Sequence, residues 1–459
     1  MPSAAGATKL HWAESAPGLW KREFGPMERI LHLATVASPG TKQWAVSTGA
    51  ILPTDAYQSL DIETIKTAWL ALRDNHPILG CIITDIGFEY QVPANATELQ
   101  KWVDETVRVD MSGKTGREIA PTAPAPETAE LYFLPNNNEL FIHIRHELID
   151  GIGSMVLLNN FLKLLRSGLQ AEPNFGDEVA RLTPSLDEVM KAEDPASDVI
   201  EQAHAILQDY SVDQQIRLNV EPRDPSESRL YEYQFNEADT AVLLKACKTN
   251  NITITTALTA ASSKAVLENS GQSSGDLRSP FCVSMRDALP APYNGSEYAA
   301  AAYFTFAFPK IPVSKSRSSL KVAKETKEFF HSWKNNKNNV AFGGPMLEKY
   351  GDSLVAAVVN GIPPSFLLVS SWGIADKYIT EPIEDFWGGC CAGTPTAGML
   401  IYTAKNRIRL MFCYSSTFYS EKSVRDLAEG TAFYLRDCLQ VNSPVSAHNN
   451  SSFLANMPF

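Results

Sequence analysis

Apolar residues recur along this chain at two periods, three-to-four and two, so helices and strands should alternate throughout. Ile62, Ile65, Trp69 and Leu72 share one face of a helix that Asp61 can cap. It should end near Asn75-His76-Pro77, where proline opposes continuation. The apolar run 78–83 reads as a buried strand. Residues 130–134 and 140–145 read as a hairpin around the turn 135–138. In its second strand Phe141, His143 and Arg145 alternate with Ile142, Ile144 and His146, which puts His143 and His146 on opposite faces. Gly151–Ser167 then reads as a helix with Ile152, Met155, Val156, Leu162 and Leu165 on its apolar side and Gly168 as its stop. A strand therefore ends in a short turn before an apolar helix, and the turn reads Arg-His-Glu-Leu-Ile-Asp-Gly.

The pattern changes in the middle of the chain. Residues 182–230 are polar and acidic and suit a crossover between two lobes, with a helix near 199–208 inside it. Beyond it come a strand at 231–235, a helix at 241–248, and a second helix capped by Thr253 that runs to about 267. Residues 281–285 and 366–370 read as buried strands. Residues 399–402 and 408–412 flank Lys405-Asn406 as a hairpin, and 424–439 closes the fold as a helix. The Ser- and Asn-rich stretch 441–459 is expected to be a loose tail. The division into lobes is placed at 1–215 and 216–459.

Composition narrows the class. With 459 residues, 44% of them hydrophobic and 20% charged, the chain can build two cores of ordinary size. A net charge of −12 argues against nucleic acid or anionic membrane as the main partner. No run reaches the roughly 18 apolar residues of a spanning helix, and the N-terminus lacks a basic start followed by an apolar stretch. The seven cysteines show neither a disulfide framework nor zinc spacing. A cytoplasmic, monomeric enzyme without a metal is the expectation.

The chemistry concentrates at His146, Asp150 and Gly151. Acyl transfer from a thioester needs a base within hydrogen-bond reach of the acceptor, and a neutral imidazole suits that task near pH 7. An aspartate four residues on can bond backbone groups and hold the loop, and a glycine lets the chain turn and lets substrate approach the backbone. The plain alternative is a core histidine followed by a helix cap.

The turn resembles the HHxxxDG or HxxxD motif of the CoA-dependent acyltransferase superfamily, which includes BAHD acyltransferases, fungal O-acetyltransferases of secondary metabolism and condensation domains of nonribosomal peptide synthetases. Residues 72–79 (Leu-Arg-Asp-Asn-His-Pro-Ile-Leu), 283–290 (Val-Ser-Met-Arg-Asp-Ala-Leu-Pro), 366–372 (Phe-Leu-Leu-Val-Ser-Ser-Trp) and 385–389 (Asp-Phe-Trp-Gly-Gly) resemble further family motifs in the family's order. The resemblance implies an α/β fold of two chloramphenicol-acetyltransferase-like lobes, each a mixed sheet with helices, and a substrate tunnel between them. It implies His146 as general base, Asp150 paired with Arg286 to brace the loop, and Ser371 and Trp372 near the tunnel as substrate or oxyanion candidates. Acyl-CoA, most simply acetyl-CoA, is then the co-substrate, and a hydroxyl or amine of a small metabolite the acceptor. Arg145 stands where many condensation domains carry a second histidine, which makes a carrier-protein substrate less expected. Two other readings stand beside this one: a CoA-independent cyclisation or condensation on the same fold, and a non-catalytic binding protein.

Overall fold

The computed structural model describes residues 10–36, 45–57, 60–168, 173–192, 194–208, 214–223, 227–346 and 365–441. Except for Val441, the expected tail lies outside them. The architecture is mixed α/β, built on two main sheets. One has five strands in the order Asp385–Cys390, Val46–Ile51, Glu139–Ile144, Ala129–Leu134, Val107–Val109. The other has six, in the order Phe304–Ala307, Phe281–Ser284, Leu367–Ile374, Ala397–Ala404, Arg407–Ser415, Ser228–Gln234. Both sheets mix parallel and antiparallel pairs. The described residues also include a smaller four-stranded sheet and a two-stranded ribbon.

Local signals explain many element boundaries. Asp61 accepts from the backbone N–H of Thr64 at 2.7 Å and starts the helix Ile62–Asn75, whose buried side includes Ile65, Trp69 and Leu72. Thr253 caps Ile254–Ser270, and Gly168, with φ of 71°, ends Gly151–Ser167. Lys405 and Asn406, both at positive φ, form the two-residue turn joining Ala397–Ala404 to Arg407–Ser415. The helix Ser197–Gln208 lies inside the polar crossover.

One expectation changes. Residues 78–83 do not form one buried strand. Pro77 opens a tight 3-10 turn, Pro77–Gly80, that buries Ile78 and Leu79, and only Ile82–Ile83 pair as a strand, with Ile82 exposed. The two halves of the chain also share a sheet. Asp385–Cys390, from the second half, pairs along its whole length with Val46–Ile51 of the first. Trp387 anchors it there, fully buried, and its indole N–H donates to Glu139 Oε1 at 2.7 Å.

Hydrophobic burial supplies the main driving force, in one core around the five-stranded sheet and another around the six-stranded one. In the second, Ile254–Ser270 is buried nearly all round, rich in Ala, Ser and Thr, and packs against Glu421–Leu439. Small side chains suit a helix pressed between a sheet and another helix.

Candidate active site

The strand Glu139–Ile144 stops one residue before Arg145, and the chain winds into a single 3-10 turn, His146–Leu148, before the helix begins. That turn orients His146. The strand alternation expected from the sequence does not extend that far. His146 Nδ1 lies 2.8 Å from the carbonyl oxygen of Ile149. A carbonyl only accepts, so Nδ1 carries the proton of the neutral ring and Nε2 keeps the lone pair. Burial lowers the pKa of the ring below its ordinary value, against weaker opposition from nearby backbone and from the carboxylates of Asp150 and Glu147. The ring therefore stands as a neutral base at pH 7. His143 is buried on the strand and bonds Ser47 Oγ at 2.8 Å, away from this wall.

Asp150 does two jobs at once. Its Oδ1 accepts from the backbone N–H of Gly153 at 2.7 Å and so caps the helix. Its carboxylate also receives Arg286 Nε at 3.1 and 3.0 Å, Arg286 Nη2 at 3.0 Å, and the backbone N–H of Tyr303 at 2.9 Å. Arg286 is buried and also donates to the carbonyls of Tyr298, Ala299 and Ala301 at 3.1, 2.9 and 2.9 Å. The pair ties the turn after the first sheet to the strand end of the second.

Gly151 and Trp372 meet directly. Gly151 has no positive φ, so turning is not what requires glycine there. A Cβ at Gly151 would fall inside the indole of Trp372, and a Cβ at Gly388 would fall inside its opposite edge. Trp372 is thus a wedge between two glycines, buried to 5% exposure. Ser371 has its Oγ 2.9 Å from Thr255 Oγ1 at the start of Ile254–Ser270.

Glu147, fully buried, accepts from both Nε and Nη2 of Arg145 and faces His32 Nδ1 at 3.3 Å. Burial alone would raise its pKa, but the hydrogen bonds from His32 and Arg145 prevail and bring it down to about 2. His32 belongs to Pro26–Val36, so this cluster clips that helix to the turn. Sequence reasoning passed over Glu147, His32, Thr255 and Phe304. The period-two run Phe304-Thr305-Phe306-Ala307-Phe308 was a visible signal for the last of these.

The histidine turn and the Trp372 strand end border a cavity of about 180 Å³. His146, Asp150 and Gly151 line it from one side, and Ser371, Trp372, Phe304 and Ser284 from the other. Phe304 lies over the imidazole with ring centroids 5.8 Å apart. Arg286 stands behind this wall, bound to Asp150. Among the described residues no group of three or more His, Cys, Asp or Glu could hold a metal, and no helix is long and apolar enough to cross a membrane.

Known proteins bear on this arrangement. No family model matches the chain. It is similar to the O-acetyltransferase pigM of Monascus ruber, 25% identical over 435 residues that cover 89% of this chain and 84% of that protein. The acetyltransferase pigO of Monascus ruber is 27% identical over 325 residues, 67% of this chain and 70% of that one. Among solved structures, the TRI3 trichothecene 15-O-acetyltransferase of Fusarium sporotrichioides superposes with a TM-score of 0.81 at 17% identity, covering 95% of this chain and all (100%) of that one. The first condensation domain of the calcium-dependent antibiotic synthetase gives 0.63 at 12% identity, covering 91% and 96%.

The two-lobed fold is that of the CoA-dependent acyltransferase and condensation-domain superfamily. Within it, the curated relatives identify the chain as an acyltransferase.

Proposed function

We propose that this protein transfers an acetyl group from acetyl-CoA to a hydroxyl of a small secondary metabolite, with His146 as general base. The observation that carries the proposal is the state of His146: Nδ1 committed to the Ile149 carbonyl, Nε2 unprotonated, and the ring on the cavity wall. Nε2 would take the proton of the acceptor hydroxyl as its oxygen attacks the thioester carbonyl. The tetrahedral oxyanion would collapse with loss of the CoA thiolate, and the imidazolium would return the proton to that sulfur. With the Thr255 hydroxyl as the donor of their hydrogen bond, the Ser371 hydroxyl would donate its own proton to the oxyanion. Asp150 and Arg286 are committed to each other and to backbone groups; they hold the turn and act as positioning residues. The relatives' names support acetyl as the group and oxygen as its destination.

His146→Ala tests the base. The kcat should fall by about 10²–10⁴-fold with the melting temperature little changed. A variant within a few-fold of wild type would remove His146 from the mechanism. Because burial lowers the pKa of the ring, kcat/KM in the wild type should stay level as pH falls past about 6.5 and drop only in more acid solution. A midpoint above that value would contradict the assignment.

A further inference from the structure

The cavity has a direction, which the pairing register of the six-stranded sheet reveals. Ser284 pairs with Phe304, and Cys282 with Phe306. Cys282 also pairs with Ser370, which pairs with Leu400. Residues two apart on a strand share a face, so the cavity floor is a set of rows stepping away from His146. The first row holds Phe304 and Ser284, beside the imidazole and Trp372. The second holds Phe306, Cys282, Ser370 and Leu400. The third, just past the paired residues, holds Phe308, Pro280 and Leu368, and Phe366 lies further in the same direction. Adjacent rows are about 7 Å apart, so the third begins about 14 Å from the first.

Polarity is lowest in the middle of this path. Hydroxyls stand in the first two rows, at Ser284 and Ser370, with Ser371 alongside; the third row has none, and Thr396, beside Phe366, and Thr394 line the cavity beyond it. Phe304 and Phe306 meet edge to face at 5.5 Å, and Phe306 and Phe308 at 6.5 Å, a continuous aromatic rail. No Lys or Arg is among the cavity's described lining residues, and the one carboxylate, Asp150, is neutralised by Arg286. A charged acceptor would leave its charge without a partner there.

We infer that the acceptor is a neutral alcohol with its oxygenated end at His146 and an apolar body, flat or chain-like, about 10–14 Å long, laid along Phe304, Phe306 and Phe308. This rests on the proposed acetyl transfer in one respect. An acetyl group is too small to fill the outer rows, and they are assigned to the acceptor, with the pantetheine arm of the donor approaching His146 from another side.

The test is equilibrium binding of primary alkanols from four to twelve carbons, with the matching α,ω-diols, to the whole protein without any acyl-CoA. Quenching of tryptophan fluorescence is the readout. Affinity should rise about threefold per methylene through the middle of the series and level off near the length of the rail. Diols of the length that sets their second hydroxyl at the apolar third row should bind at least tenfold more weakly than the matching alkanols. Phe308→Ala should abolish the gain for the longest alkanols while sparing the shortest, and Phe308→Leu should keep most of it, which separates lost contact from misfolding. Affinity that ignores chain length, or diols that bind as well as alkanols, would overturn the inference. So would a Phe308→Ala variant whose alkanol binding is unchanged but whose acyl-CoA chain-length preference shifts, since the rail would then hold the acyl chain. Binding is read without turnover, so it stands or falls separately from the role of His146, and the same series on His146→Ala should show the same dependence on length.

Discussion

Asp150→Asn is the most informative single substitution, because it changes one oxygen to an NH₂ group and almost nothing else. The carboxylate accepts from Gly153, from Tyr303 and from the Arg286 guanidinium, and no donor is left facing a donor. An amide has one accepting oxygen. If it keeps the Gly153 cap, its NH₂ points at the Tyr303 N–H and at Arg286. If it flips, the NH₂ meets the Gly153 N–H instead. Either way a buried cation loses its counter-charge and at least one backbone N–H loses its acceptor. Breaking a buried pair from one side typically costs 3–5 kcal/mol. Arg286 keeps its three carbonyl partners, which places the expected loss at the lower end, about 3 kcal/mol. Urea unfolding followed by tryptophan fluorescence measures it. Arg286→Met should cost at least as much, since it leaves the buried Asp150 charge without its counter-charge and takes a donor from the carbonyls of Tyr298, Ala299 and Ala301, the last two of which keep a backbone N–H, and the double variant should fall well short of the sum. A change below about 0.5 kcal/mol for Asp150→Asn, or strict additivity with Arg286→Met, would refute the view that this pair holds the turn.

Two further outcomes follow from the same neighbourhood. Gly151→Ala drives a methyl into the Trp372 indole and should cost about 1–3 kcal/mol, and adding Trp372→Phe should recover part of it; no thermal shift in the single variant would show that the wedge gives freely. Glu147 has its pKa depressed to about 2 in the fold from an ordinary 4.5, so its contribution is complete above about pH 4.5 and is lost as pH falls toward 2. Glu147→Gln should therefore unfold more easily than wild type at pH 7, by up to about 3 kcal/mol, with the two stability curves converging below pH 4.5, and parallel curves through that window would count against the His32–Glu147–Arg145 cluster.

Much of this protein is written locally. Asp61, Thr253 and Asp150 each cap the helix that follows within three residues, and Lys405-Asn406 turns a hairpin by itself, because a cap or a two-residue turn closes its hydrogen bonds among neighbours in the chain. The spacing of His146, Asp150 and Gly151 between a strand and an apolar helix was legible for the same reason. Even so, local reading misjudged 78–83, where apolar residues suit a strand and a buried 3-10 turn equally. It also extended the strand through His146, whose direction depends on the turn that follows.

Other features exist only once distant segments meet. Asp150 and Arg286 are 136 residues apart, and Ser371 and Thr255 are 116 apart. Trp372 reaches Gly151 across the two halves of the chain, and the strand carrying Trp387 leaves its own half to complete the first sheet. The order of hydroxyls and phenylalanines along the cavity depends on strand register, which sets Phe306 beside Cys282 and Cys282 beside Ser370. Periodicity shows that residues 304, 306 and 308 share a face, but not what that face meets. Hydrogen bonds within a turn are specified by a few adjacent residues, so sequence alone determined the caps, the hairpin and the chemical character of the histidine turn. The partner of each buried charge, and the shape and polarity of the cavity, depend on the summed packing of two cores, and only the tertiary structure decided them.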